Sequence, residues 1–185
     1  MEKTISVSLL ALMGAFAATS AHAEGKSRFN VGVNVYTQDE ADLDVTLTSI
    51  VGRYNHTVAS NGAFDFGLEG ELSYGIIGDD VSVPVFESTV DVDVDAEFGA
   101  AAFATAAYNF TETGSNVFVR LGYAYQEVEA SAGGISEGAE GDGFAYGIGT
   151  NVMFNAKHGI RGDWTRLDGD DSDADLFSVS YVFRY

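Results

Sequence analysis

The last ten residues of the chain, LFSVSYVFRY from Leu176 to Tyr185, alternate between two kinds of side chain. Every second residue is aromatic or aliphatic, and this set is Phe177, Val179, Tyr181, Phe183 and Tyr185. The residues between them are Ser178, Ser180, Val182 and Arg184. Because neighbouring side chains of a strand point to opposite faces, the pattern predicts a strand with one apolar and one mixed face. A soluble barrel would turn the apolar face inward, whereas a membrane barrel would turn it towards lipid, and this strand alone leaves both open.

The start of the chain has the features of a secretory signal. Lys3 precedes an apolar run that ends near Ala18, and the small-residue stretch AHA follows at 21–23. We therefore expect residues 1–23 to be removed on export. A membrane-spanning helix is the weaker alternative, because it needs about 20 apolar residues and this run is shorter. Residues 24–185 are then predicted to form one domain, and the lack of cysteine fits an exported envelope protein that needs no disulfides.

Eight segments of the remaining chain have strand-like alternation. They are residues 28–38, 44–57, 63–78, 92–110, 117–129, 142–155, 159–168 and 174–185. An even number is what a single-chain bacterial barrel requires. The connections alternate between short turns such as TETGSN and mostly longer acidic stretches such as DGDDSDAD. This asymmetry is typical of a barrel with one end in the periplasm and the other outside the cell, and both chain ends then lie on the periplasmic side.

The two faces of the third segment decide between a soluble and a membrane barrel. One face carries Phe64, Phe66, Leu68, Leu72, Tyr74 and Ile76, and the other carries Asp65, Gly67, Glu69, Glu71, Ser73 and Gly75. We interpret the face with charges and glycines as the lining of a narrow lumen, whereas a soluble barrel would need an apolar core at these positions. The apolar face must therefore meet lipid. The sequence predicts an all-β fold, an eight-stranded antiparallel transmembrane β-barrel.

Three stretches carry a resemblance to a known family. They are DGFAYGIGTNVMFN at 142–155, VRLGYAYQ at 119–126 and the ending SVSYVFRY. With them the chain resembles the eight-stranded outer-membrane β-barrel family, the OmpX-like proteins and the barrel half of OmpA-like proteins. The resemblance implies a place in the bacterial outer membrane, among its lipid and lipopolysaccharide, and no cofactor. It also implies that Tyr181, Phe183 and Tyr185 form the signal that the barrel-assembly machinery reads.

Charged residues on the inward faces are the first candidate site. An eight-stranded lumen is just wide enough to be filled by side chains, and buried charges persist only when they are paired. We predict an interior charge network formed by Arg53, Glu69, Glu71, Glu97, Arg120, Arg161, Asp163 and Arg184. Such a network would plug the barrel. The alternative is a gate, in which the same pairs break to pass small ions.

The acidic connections are the second candidate site. Twenty of the 28 acidic residues lie in or beside the four connections placed outside, and the formal net charge of −19 argues against a nucleic-acid partner. Calcium and magnesium prefer such oxygen ligands, so Asp168, Asp170, Asp171 and Asp173 are weak candidates for a metal site. The sequence DGDDSDADL lacks the glycine and glutamate at EF-hand spacing. A solvated surface that attracts divalent ions diffusely is the simpler interpretation.

The functional prediction is a structural or surface-contact role without enzymatic activity. An enzyme of acyl transfer needs a nucleophile and a base, and His56 and His158 fall at the predicted periplasmic turns, away from the outer leaflet. We expect envelope integrity, adhesion or cation-bridged surface contact through the acidic loops, with a surface protein or divalent cations as partners. The alternatives are a small gated pore for ions or solutes and, less favoured, an enzyme that modifies outer-leaflet lipid.

Overall fold

The computed structural model describes residues 27–40, 43–85, 88–132, 135–169 and 173–185, so the predicted signal peptide lies outside the described residues. The described chain forms nine strands. They are β1 (Ser27–Glu40), β2 (Leu43–Asn61), β3 (Phe64–Ile77), β4 (Asp79–Val85), β5 (Ser88–Asn109), β6 (Asn116–Ala132), β7 (Ile135–Met153), β8 (His158–Gly169) and β9 (Asp173–Arg184). These residues include no helix that is long and apolar enough to cross a membrane.

Eight of these strands close into a ring. All neighbouring pairs are antiparallel, and β1 contacts both β2 and β9. The other seam is the ladder between β3 and β5, which runs from Phe64 opposite Tyr108 to Tyr74 opposite Phe98. The ring therefore has no open edge along the barrel wall. The predicted eight-stranded antiparallel barrel is confirmed.

Strand β4 corrects the sequence prediction, which places Asp79–Val85 in a connection. The chain breaks its strand conformation at Gly78 and then continues as β4, which pairs with the first part of β5. A glycine is required there because a Cβ on Gly78 would lie 2.5 Å from the backbone carbonyl oxygen of Val94. The β3–β4–β5 hairpin thus rises beyond the closed part of the barrel.

In every strand around the ring, the apolar face lies on the same side of the barrel wall. In β3, Phe64, Phe66 and Leu68 are exposed, whereas Asp65 and Glu69 are buried. In β9, Phe177, Val179 and Tyr181 are exposed, and Ser178, Ser180 and Val182 are buried. The apolar face therefore points out of the barrel and the polar face points into the lumen, which is the arrangement of a barrel whose outer surface meets lipid.

The two ends of the barrel differ. At the end that holds Ser27 and Tyr185, the turns are short, and the tightest uses Gly62 with a φ of 62°. At the other end the strands run far past the length that crosses a membrane. A spanning strand needs about 9–11 residues, but β5 has 22 residues and β7 has 19. The parts of β4 to β7 that extend beyond the closed barrel form a sheet, which we call the outer sheet (residues 79–85, 88–96, 127–132 and 135–142).

A bulge in β5 removes Glu97 from the lumen. The ladder between β5 and β6 skips from Ala96 to Gly99, so residues 97 and 98 lie opposite Glu127 alone. An extra residue in one strand changes which face the following side chains occupy. Glu97 is exposed and Ala96 is buried. The prediction that Glu97 belongs to the interior charge network is therefore wrong.

Candidate functional site

Six charged side chains meet in the middle of the lumen. We call them the central charge cluster, and its members are Arg53, Glu69, Glu71, Arg120, Arg161 and Asp163. They come from β2, β3, β6 and β8, so the contacts cross the lumen as well as join neighbouring strands. The most buried is Arg53, with 1% of its surface exposed. Three arginines and three carboxylates make the cluster neutral.

The three arginines connect all three carboxylates. Arg53 donates through Nε to Glu71 at 2.6 Å. Arg120 donates through Nη1 to Glu69 at 3.0 Å and to Glu71 at 2.9 Å, and its Nη2 lies 2.8 Å from Asp163. Arg161 donates to both oxygens of Glu69, at 2.5 and 3.0 Å. Asp163 also contacts Arg161, whose Nε lies 3.2 Å from it. Because each carboxylate contacts more than one guanidinium, loss of one member leaves other charges without compensation.

Neutral side chains accept hydrogen bonds from the arginine N–H groups that do not contact a carboxylate. Arg53 Nη1 donates to the Ser178 and Ser180 hydroxyls at 2.9 and 2.8 Å, and its Nη2 donates to Asn34 at 2.9 Å. Thr165 accepts from Arg120 Nε at 2.9 Å. The cluster is thus hydrogen-bonded as well as charge-balanced, which is what allows ions to remain buried.

Aromatic rings lie against two of the cluster arginines. The guanidinium of Arg120 lies 4.4 Å from the centre of the Phe103 ring, and that of Arg161 lies 4.3 Å from the Phe118 ring. Both distances are within the range of a cation–π interaction. Phe103 also belongs to a buried apolar layer on the outer side of the cluster. The layer consists of Ala101, Phe103, Ala124 and Ala145, with Leu167 packed against it.

The periplasmic side of the cluster is polar instead. A small polar cavity lies there, and its lining includes Arg28, Asn30, Asp65 and Asn151. The lumen therefore has three levels, a polar cavity, the central charge cluster and the apolar layer. Both upper levels are filled with side chains, as expected for a barrel of eight strands.

Arg184 lies away from the central charge cluster. It donates through Nη1 to the Thr113 carbonyl and through Nη2 to the Gly114 carbonyl, both at 3.2 Å. The turn that holds these carbonyls joins β5 to β6, on the side of the ring opposite β9. Arg184 thus reaches across the periplasmic mouth. The structure brings together six of the eight predicted network residues and leaves out Glu97 and Arg184.

Two charged residues of the interior are missing from the predicted network. Arg28 is 5% exposed and Asp65 is 4% exposed, and Arg28 Nη2 lies 3.8 Å from Asp65 Oδ2. Alternation could have found both. Arg28 shares its face with Asn30, and Asp65 shares its face with Glu69, so each lies on the inward side of its strand.

The acidic outer end holds one prominent set of ion pairs. Arg166 donates to Asp173 at 2.7 Å and to Asp175 at 2.9 Å, and Trp164 Nε1 donates to Asp175 at 2.9 Å. The hydrogen bond from Arg166 to Asp173 raises the pKa of this guanidinium, so it stays charged. Asp173 is therefore already paired with a cation from the neighbouring strand.

The four weak metal candidates are only partly within the described chain. Asp170 and Asp171 lie outside the described residues, and Asp168 is exposed and opposite Asp173 in the β8–β9 ladder. Within the described ranges, no group of three or more side chains could hold a metal ion. A specific cation site at this hairpin stays a prediction.

The three C-terminal aromatic residues form a row on the outside of the barrel. The ring centres of Phe183 and Tyr185 are 6.3 Å apart, and His158 lies 5.5 Å from Phe183. His158 Nδ1 also hydrogen-bonds the Tyr181 hydroxyl. Tyr181 and Phe183 lie opposite Val31 and Phe29 of β1, so this last strand closes the ring. Its role as an assembly signal stays a prediction.

Comparison with known proteins agrees with this architecture. No curated protein matches the chain in sequence. Among solved structures, the Yersinia pestis attachment invasion locus protein Ail has 19% identity and a TM-score of 0.61, over 88% of this chain and 100% of that chain. OprG from Pseudomonas aeruginosa has 11% identity and a TM-score of 0.64, over 89% and 97%. Neisserial surface protein A has 8% identity and a TM-score of 0.55, over 86% and 97%. These likenesses show a shared fold.

A family model extends this result from fold to family. The model for the outer membrane protein beta-barrel domain matches residues 8–185. The match covers the whole barrel, from β1 to β9. The chain therefore belongs to the outer membrane protein beta-barrel family and is an integral protein of the bacterial outer membrane.

Proposed function

We propose that this protein has a structural and surface-contact role, in which a filled barrel carries an acidic contact surface outside the cell. The observation that carries the proposal is the outer sheet. The aromatic pair Tyr123 and Phe144 lies near the outer end of the apolar wall, with ring centres 5.8 Å apart. Beyond it the β6–β7 ladder continues to Ala132 opposite Ile135. Strands that extend this far past the apolar wall serve something other than crossing the membrane.

The edge of the outer sheet is suited to protein contact. In the described part of the chain, β4 pairs with β5 on one side and is the last strand of the sheet on the other. An exposed strand edge offers backbone donors and acceptors to a partner segment, which can add as a further strand. Pro84 lies in this strand, and proline is tolerated at sheet edges.

The negative charge of the outer end indicates what kind of partner it would bind. Glu127 lies opposite Glu140 in the outer sheet, and Glu129 is close to both. Like charges in this position repel one another and attract cations. We infer that the partner is a basic protein surface, or lipopolysaccharide bridged by divalent cations. A structure of Ail holds the heparin analogue sucrose octasulfate, and a polyanion of that kind would be repelled by this surface.

Charge neutralisation of the outer sheet tests the proposal. The variant carries Glu127→Gln, Glu129→Gln, Glu137→Gln and Glu140→Gln, and the control is Glu112→Gln in a periplasmic turn. Cells with the unmodified protein should attach to polylysine-coated surfaces and, with calcium, to lipopolysaccharide-coated surfaces. The fourfold variant should lose both, and the control should keep both. Equal attachment by the fourfold variant and the unmodified protein would overturn the proposal.

The alternative of a gated pore can be tested separately. The central charge cluster and the apolar layer fill the lumen, which supports a barrel that is closed to ions. We expect the folded protein to be silent in planar bilayers, with a gel shift between boiled and unboiled samples as proof of folding. Discrete openings that change in Arg120→Gln would favour the pore instead. An enzymatic role has less support, because His158 and His56 lie at the periplasmic end, far from outer-leaflet lipid.

A further inference from the structure

Two arginines face each other at the periplasmic mouth. Arg28 of β1 and Arg184 of β9 are direct partners in the antiparallel ladder. Arg28 lies on the same face of β1 as the buried Asn30, and Arg184 lies on the same face of β9 as the buried Val182. Side chains of directly opposite residues start about 4.5–5.5 Å apart, and like charges in this position are destabilising. The pair therefore needs a compensating group.

The protein groups around the pair supply only part of this compensation. Arg28 lies 3.8 Å from Asp65, which also accepts from Asn109 at 2.8 Å and from Ser60. Arg184 donates to two neutral carbonyls at 3.2 Å. Among the described residues, three buried side-chain atoms have no hydrogen-bond partner, namely Nε of Arg28, Nε of Arg184 and Oδ1 of Asn30. Each arginine thus has one N–H that is shielded from solvent and unused.

The charge balance of the lumen points to the same place. The arginines of the described lumen are Arg28, Arg53, Arg120 and Arg161, with Arg184 half-buried at the periplasmic mouth, and the buried carboxylates are Asp65, Glu69, Glu71 and Asp163. Five positive and four negative charges leave an excess of one positive charge. The central charge cluster is balanced, so this excess belongs to Arg28 and Arg184, which share Asp65.

The β5–β6 turn is shaped around one of these arginines. Gly114 has a φ of +85°, and a Cβ at this position would lie 2.5 Å from Arg184 Nη1. A residue with a side chain would therefore be strained and would displace the guanidinium. The turn holds Nη1 and Nη2 of Arg184 in place, which leaves Nε as the donor still available for a ligand.

We propose that Arg28 and Arg184 form a binding site for a small inorganic monoanion, of which chloride is the one to test. One such anion would accept from the two unused N–H groups, cancel the single excess charge and relieve the repulsion between the guanidinium groups. A water molecule would accept the same hydrogen bonds but leave the charge uncompensated. The site would stabilise the closure of the ring at the β1–β9 seam, which is the seam that joins the two ends of the chain.

Two measurements on the full protein isolated from membranes test the site directly. Crystals soaked in bromide should show an anomalous peak between the Nε atoms of Arg28 and Arg184. The thermal unfolding midpoint, measured by gel mobility, should be higher in sodium chloride than in sodium gluconate at equal ionic strength. A peak without an effect of the anion on the midpoint would identify an adventitious ion only and overturn the proposal. The absence of a peak would overturn it as well.

A substitution separates the site from general salt effects. Arg28→Gln removes the excess charge, so the difference between chloride and gluconate should disappear in this variant. Lys157→Gln is the matched control, because Lys157 is an exposed cation in a turn at the same end. It should keep the difference of the unmodified protein. An anion effect that survives in Arg28→Gln, or is lost in Lys157→Gln, would place the binding elsewhere and overturn the assignment.

Discussion

Glu69→Gln is the substitution that tests the central charge cluster most sharply. Glu69 is 3% exposed and accepts three hydrogen bonds, from both terminal nitrogens of Arg161 and from Nη1 of Arg120. Glutamine keeps the shape and one acceptor oxygen. Its amide group, however, would point two donors at Arg161, and the neutral cluster would acquire one positive charge. The change therefore removes a charge without creating a cavity.

The expected loss follows from these contacts. One charge-assisted hydrogen bond is worth about 1.5–3 kcal/mol, and breaking a buried ion pair from one side costs about 3–5 kcal/mol in total. We therefore expect Glu69→Gln to lower the free energy of unfolding by about 3–5 kcal/mol. Glu97→Gln is the matched control, since Glu97 is exposed, and it should change the free energy by less than about 0.5 kcal/mol.

Urea unfolding in phospholipid vesicles measures both variants. Trp164 is the only tryptophan of the chain, so its fluorescence reports on the wall beside the cluster. A double variant that adds Arg161→Gln restores neutrality and should lose less than the sum of the two single variants. If Glu69→Gln unfolds at the same urea concentration as the unmodified protein, the cluster does not carry the stability assigned to it. Strict additivity in the double variant would refute the coupling between Glu69 and Arg161.

Three further predictions concern the wall, the apolar layer and the outer rim. Gly122→Ala should prevent folding or lower stability by about 1–3 kcal/mol, because a Cβ there would lie 1.9 Å from the Ala102 carbonyl oxygen. The control is Gly52→Ala, which has open space for a Cβ and should fold normally in the gel-shift assay. Phe103→Ala should lower the free energy of unfolding by about 3–5 kcal/mol in urea titrations, since it empties the layer over Arg120. Arg166→Gln should leave the midpoint of the same titration nearly unchanged, because its ion pairs are partly exposed.

Alternation along the strands predicts which residues face the lumen, because a strand has a period of two and the barrel keeps that period over long stretches. It therefore identifies Arg53, Arg120 and Arg161 as interior residues. It fails at Glu97, where a bulge shifts the period, and it treats Asp79–Val85 as a connection. Both failures lie beyond the closed wall, where the outer sheet no longer has to alternate between lipid and lumen.

The partners of the charged residues are harder to predict than their faces. Arg53 and Glu71 are opposite each other in the β2–β3 ladder, so correct register is enough to pair them. Arg120 and Glu69 lie on strands that are not neighbours, and their contact depends on the width of the lumen and the stagger of the strands. Neither quantity can be read from one strand at a time. The same holds for Arg184, whose partners lie across the periplasmic mouth.

The charged residues that stabilise the barrel and those that offer a contact surface lie in different parts of the molecule. The formal net charge is −19, but the described lumen and its periplasmic mouth hold five arginines and four carboxylates. Most of the described acidic side chains therefore lie outside the lumen, and the apolar layer lies between the central charge cluster and the outer sheet. Sites without shared partners add in their effects on stability to within about 0.3–0.5 kcal/mol.

The fourfold Glu→Gln change in the outer sheet should therefore be additive with Glu69→Gln in the free energy of unfolding. Taken alone, the fourfold change should leave stability equal or slightly higher, because it removes repulsion between Glu127 and Glu140. This gain in stability should fall at high salt, since the screening length for exposed charges shortens from about 8 Å at physiological ionic strength to about 3 Å at 1 M salt. The cost of Glu69→Gln should stay nearly constant over the same salt range, because buried pairs are screened much less. A shared salt dependence would mean that the outer sheet and the central charge cluster are one electrostatic system.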